Sequence, residues 1–134
     1  MIQRIQTVYL LISTVLLSIG FFYGVSDFAR LFKDATSSSV VFAVLILIAA
    51  LMTVVSIFLY KKRMLQAKMV GFAQIFILLG YLCVVVVFCT HDFQSISLKD
   101  IDLLYPLLAA FFNLLARKAI YRDENMVRAA DRIR

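Results

Sequence analysis

Residues 40–60 read VVFAVLILIAALMTVVSIFLY, and the basic triplet Lys61, Lys62, Arg63 follows at once. No charged side chain interrupts the run. As an α-helix rising about 1.5 Å per residue, it matches the roughly 30 Å hydrocarbon core of a bilayer. Lipid offers the backbone no hydrogen-bond partner, so only a helix or a closed barrel can cross it. The run lacks the apolar–polar alternation of a barrel strand. It is therefore a membrane-spanning helix.

Three further runs of this kind lie on either side, at 7–25, 69–90 and 103–121. The last is the shortest in apolar length. Its uncharged part ends at Ala116, and Arg117 and Lys118 must extend toward the headgroups. Pro106 lies near its start, where a missing N–H and a fixed φ are tolerated. The whole chain of 134 residues is 63% hydrophobic, with a mean hydropathy of +0.96. Soluble domains lie near about 45–50%. The composition excludes an ordinary water-soluble globule and a disordered chain. The expectation is an all-α membrane protein. Residues 1–134 form a single four-transmembrane-helix antiparallel bundle, with 122–134 as a cytoplasmic amphipathic C-terminal helix.

Charge sets the expected orientation. With four spans, the N-terminus, the middle loop and the tail share one side, and they hold eleven of the fourteen Lys and Arg residues. The other side holds Arg30, Lys33 and Lys99, with five of the eight acids. Basic flanks stay in the cytoplasm, so both termini are expected there. The first run continues through Phe21, Phe22 and Tyr23 with no small-x-small exit, which reads as a retained span rather than a cleaved signal. Phe28, Leu31 and Phe32 suggest a short amphipathic turn on the outer surface. Ser97, three residues before Asp100, has the spacing of a capping box opening the last helix. In the tail, Met126, Val127, Ala130 and Ile133 share one face, with Glu124–Arg128 and Arg128–Asp131 as favourable pairs.

No Asp, Glu, Lys, Arg or His lies in the middle of a run. Proton-coupled pumps and small multidrug exporters depend on such a group. A single His91 cannot supply two axial haem ligands. Cys83 and Cys89 are six residues apart on one helix, point to different faces, and are not a CxxC pair. Nucleotide-binding, esterase and zinc-protease motifs are absent from the sequence. No cofactor, metal or catalytic residue is expected, and the chain reads as non-enzymatic.

The uncharged polar residues inside the runs cluster by depth: Tyr9, Ser13, Ser56, Gln74 and Asn113. They form an expected interhelical polar layer in the cytoplasmic leaflet, each amide seeking a partner. A sharper reading makes the layer a cavity for a small solute or a headgroup. Gly20 and Gly24 form a GxxxG that allows close helix packing, within the chain or with a partner. Tyr23, Tyr60, Tyr105 and Tyr121 fall at run ends, as in an aromatic belt. Arg4, Lys61, Lys62, Arg63, Lys68, Arg117, Lys118, Arg128 and Arg132 are candidates for contact with anionic headgroups or with a protein partner. No aromatic residues interleave with these charges, so nucleic acid is not an expected partner.

The ends of the chain carry a resemblance. MIQRIQTVYLL at 1–11 and YPLLAAFFNLLARKAIYRDENMVRAADRIR at 105–134 resemble the opening and close of domain-of-unknown-function family 4293, small four-span inner-membrane proteins of Gram-negative bacteria. The resemblance implies a bacterial inner-membrane protein and brings no activity with it. It directs attention to Gln3, Arg4, Gln6, Asn113, Asp123, Glu124, Arg128, Asp131 and Arg132. The resulting expectation is an accessory or scaffold subunit of a larger membrane complex. The alternatives are a small transporter or channel built on the polar layer, or a headgroup-level lipid-binding protein.

Overall fold

The computed structural model describes residues 2–31, 36–90 and 103–131. Helix α1 (Ile2–Ile19) passes through one wider π-helical turn (Gly20–Gly24) into α2 (Val25–Leu31), and α3 (Thr36–Phe58), α4 (Arg63–Thr90) and α5 (Tyr105–Asp131) follow. Three stretches are long and apolar enough to cross a membrane: Ile5–Ala29, Ser37–Phe58 and Arg63–Val87. This is the pattern of a helical multi-pass membrane protein. Helix α5 does not meet that measure, because Arg117, Lys118 and Arg122 shorten its apolar part.

Each helix buries one stripe of residues at alternating spacings of three and four. In α1, the π turn and α2 the stripe is Gln6, Leu10, Ser13, Leu17, Gly20, Gly24, Asp27. In α3 it is Ser39, Phe42, Ile46, Ala49, Thr53, Ser56. In α4 it is Gln66, Val70, Ala73, Ile77, Gly80, Val87, with Val84 half-buried between the last two. In α5 it is Pro106, Ala109, Asn113, Ala116, Ile120, Asp123. A repeat near 3.5 keeps each stripe facing its neighbours when helices cross at about 20°, the geometry of a left-handed bundle. Small residues recur in the stripes and bring the backbones close, which matters because lipid supplies no hydrophobic force between helices. Large aliphatics such as Val44, Leu51, Val55 and Leu78 are left exposed on the outside.

Packing closes a ring in which α1 touches α3 and α5, and α4 touches α3 and α5. Neighbours run antiparallel. Gln6 meets Asp123 and Gly20 meets Pro106 between α1 and α5. Gly80 meets Phe42 between α4 and α3, and Gly71 meets Arg117 between α4 and α5. One end of the bundle therefore gathers the start of α1, the turn between α3 and α4, and the second half of α5. The described side chains of Lys61, Lys62, Arg63, Lys68, Arg117, Lys118, Arg122 and Arg128 lie at this end.

Two details fix the opposite end. The Tyr81 hydroxyl of α4 donates to the Leu103 carbonyl and accepts the Leu107 N–H at 3.1 Å. It thus satisfies one of the free N–H groups at the start of α5. Phe28 is fully buried and stacks on Phe42, with centroids 5.5 Å apart and planes at 22°. This corrects the expected surface turn: the first helix does not end at Val25 but continues to Leu31, and Asp27 and Phe28 point inward. The burial stripe explains why, since both residues continue its spacing. Phe32, His91 and the Ser97–Asp100 capping box lie outside the described residues.

Candidate functional site

The expected polar residues are separated by depth into two layers. Antiparallel pairing brings Ser13 of α1, Gln74 of α4 and Asn113 of α5 to one level. Ser56 is level with Gln66, closer to the basic end, where Gln6 and Asp123 also lie. Gln66 is 3% exposed and Ser56 fully buried. Tyr9 falls between the layers, its ring centroid 6.4 Å from that of Phe112.

The inner layer is incompletely satisfied. The Ser13 hydroxyl donates to the Ala109 carbonyl at 3.1 Å, a bond from α1 to α5. Asn113 is fully buried, and neither its Oδ1 nor its Nδ2 has a hydrogen-bond partner among the described residues. The Gln74 Oε1 and the Arg117 Nε are buried and have no partner among the described residues either. Arg117 lies along Gly71, where an added Cβ would stand 3.4 Å from its Cζ, and its guanidinium is 5.7 Å from the Tyr121 ring centroid. Ser56 bonds only within its own helix, to the Thr53 carbonyl at 2.7 Å. Of the five expected residues, Ser13 alone makes a described hydrogen bond between helices. The amides of Asn113 and Gln74 instead leave buried polar atoms without a partner among the described residues.

Replacing Asn113 by Leu removes two buried groups without a described partner and keeps the number and branching of the heavy atoms. The Asn113→Leu midpoint of thermal unfolding in detergent, followed by circular dichroism, should rise. The expected gain is about 1–3 kcal/mol, the cost of one orphaned buried polar group. A fall would show that the amide has a partner the chain needs.

The outer layer holds the pair that sequence reading did not identify. The Gln6 Nε2 amide donates to the Asp123 Oδ2, joining the two ends of the chain. Asp123 is 5% exposed, and its Oδ1 has no hydrogen-bond partner among the described residues. The signal was present in the sequence, because Gln6 and Asp123 both occupy positions of the burial stripe.

Two clefts open at this end. One, of about 630 Å³, lies between the α3–α4 turn and α5, with Lys61, Lys62, Arg63 and Lys68 facing Glu124 and Val127. The second, of about 390 Å³, lies between α1 and α5 and includes Tyr9, Lys118, Arg122 and Asp123. Arg128 pairs with Glu124 at 3.2 Å, as its spacing predicts. The Arg4 side chain and Arg132 lie outside the described residues. Gly20 packs against Pro106 of the same chain, so at least this half of the GxxxG serves an internal contact. Cys83 is half-buried and Cys89 exposed, both free thiols. Among the described residues no group of three His, Cys, Asp or Glu could hold a metal ion.

No curated protein and no solved structure matches the chain. A family model does, over residues 2–133, and its span takes in the stripes of all the helices and the Gln6–Asp123 junction. The chain belongs to the family described as Domain of unknown function (DUF4293).

Proposed function

We propose that the chain is a non-catalytic subunit, an accessory or scaffold element of a larger assembly in a bacterial inner membrane. On this reading α5 is a fourth span and both termini are cytoplasmic. Its pairing supports the span: α5 runs beside α1 from Pro106 at Gly20 to Asp123 at Gln6, about 25 Å of helix. The gathering of basic side chains at one end supports the orientation.

The observation that carries the subunit reading is the end of α5. From Asn125 to Ala130 every residue is exposed, and Met126 and Val127 are each 43% exposed. The helix thus carries exposed apolar side chains at the mouths of the two clefts, Val127 at the basic one, where anionic headgroups are held by Lys61, Lys62, Arg63 and Lys68. A tagged copy purified from membranes in mild detergent should bring down a protein partner at fixed stoichiometry. Met126→Asp/Val127→Asp should release it without changing the unfolding midpoint. Recovery of the lone chain from wild-type membranes would refute the assignment.

A second reading, a small transporter or channel, is favoured by the unpartnered Asn113 and Gln74 amides. It requires Asn113→Leu to abolish solute flux in reconstituted vesicles.

A further inference from the structure

The cleft between α1 and α5 combines three features no other described surface joins. The first is an acceptor without a donor. Asp123 lines the cleft, is 5% exposed, and has its Oδ2 occupied by the Gln6 amide, while Oδ1 has no partner among the described residues. A buried carboxylate oxygen left bare is costly, and native structures leave few such atoms. The second is a pair of cations. Lys118 and Arg122 line the same cleft, yet neither closes on Oδ1. The third is an apolar wall formed by Ile5, Leu115 and Met126, at the level where the first membrane-crossing stretch begins at Ile5.

An occupant must therefore bring an N–H donor, an anionic group beside it, and a hydrocarbon body. We propose that the cleft holds the headgroup of an ethanolamine phospholipid. Its ammonium donates to the Asp123 Oδ1, its phosphate sits between Lys118 and Arg122, and its acyl chains run along Ile5 and Leu115. A choline headgroup carries the same charges but has no N–H to donate. A glycerol headgroup carries the phosphate but no cation, and its net negative charge faces the carboxylate. Selectivity thus rests on Asp123, and overall affinity on Lys118 and Arg122. The proposal does not depend on the subunit reading, and it differs from the anionic-lipid contact at the Lys61–Lys68 cleft, which contains no buried acceptor.

The test uses the full chain, delipidated in detergent and titrated with dioleoyl lipids while bound lipid is counted by native mass spectrometry. Phosphatidylethanolamine should bind about tenfold more tightly than phosphatidylcholine, the ratio expected when one charge-assisted hydrogen bond is lost. The N-monomethyl and N,N-dimethyl lipids, which keep an N–H, should bind like phosphatidylethanolamine, and the drop should come at the third methyl. Asp123→Asn, which keeps a partner for Gln6, should bring the two lipids within about twofold of each other. Phosphatidylglycerol binding should be tightened by Asp123→Asn, which removes the opposing charge, and weakened by Lys118→Ala. Equal binding across the methylation series in the wild-type chain would overturn the proposal even if the variants failed to fold. So would selectivity that survives in Asp123→Asn, because Oδ1 would then be satisfied from within the chain.

Discussion

Gly20→Leu should prevent the bundle from closing. A Cβ built at Gly20 stands 2.5 Å from the Pro106 Cγ and 2.6 Å from its Cδ, with the Pro106 nitrogen at 3.2 Å. Both ring atoms belong to a rigid pyrrolidine that has no rotamer to move into. Overpacking of a close-fitted contact costs about 1–3 kcal/mol for a single methyl and more for a branched side chain. Gly20→Ala should lower the midpoint of thermal unfolding in detergent by that amount, and Gly20→Leu should yield a chain without a cooperative transition. Pro106→Ala on the Gly20→Ala background should recover part of the loss, since the two atoms in closest conflict are removed. Gly80→Ala is the control. Its Cβ would stand 3.4 Å from the Phe42 Cδ2, an ordinary contact, and helix propensity favours Ala by about 0.5–1 kcal/mol. Gly80→Ala should be neutral or stabilising. A Gly20→Ala chain as stable as Gly80→Ala would mean that α1 and α5 do not approach as described.

The second large effect is expected at Gln6. Gln6→Leu takes away the one donor to Asp123 and leaves a buried carboxylate with no described partner for either oxygen. Breaking a buried polar pair from one side costs about 3–5 kcal/mol when the remaining group is charged. Removing both members costs far less, because no buried group is then left bare. The double variant Gln6→Leu/Asp123→Leu should therefore unfold at a higher temperature than Gln6→Leu alone. This sign of coupling is what a double-mutant cycle measures. Additive losses would show that Gln6 and Asp123 do not interact.

The helices could be found in the sequence because apolar length is a direct measure of bilayer thickness. Their inward faces were harder to find. In α3, Val40 to Phe58 is apolar on every side, and lipid is as apolar as the bundle interior, so hydrophobic periodicity carries no signal there. The inner face is marked instead by smaller and more polar residues, Ser39, Ala49, Thr53 and Ser56, which fall on the buried stripe. Reading by depth alone placed Ser13, Gln74 and Asn113 together, and the structure keeps them level. Ser56 instead lies level with Gln66, nearer the basic end, because α4 begins at Arg63 and carries Lys68 inside the helix. The Gln6–Asp123 pair escaped because its members are 117 positions apart and each, taken alone, looks like an ordinary polar residue at the end of an apolar run. The extension of the first helix through Leu31 escaped because Asp27 and Arg30 resemble the start of a solvated loop.

The meeting of Gln6 with Asp123 also sets the order in which the chain can reach its native state. Joining positions this far apart carries the largest loop-closure entropy of the contacts described here, whereas α3 and α4 are neighbours across a tight turn. Loop-closure entropy therefore favours the α3–α4 hairpin before the docking of α5, whose groove is complete only with α1 in place. During synthesis α1 must wait, with its side facing the absent α5 uncovered, until α5 has left the ribosome.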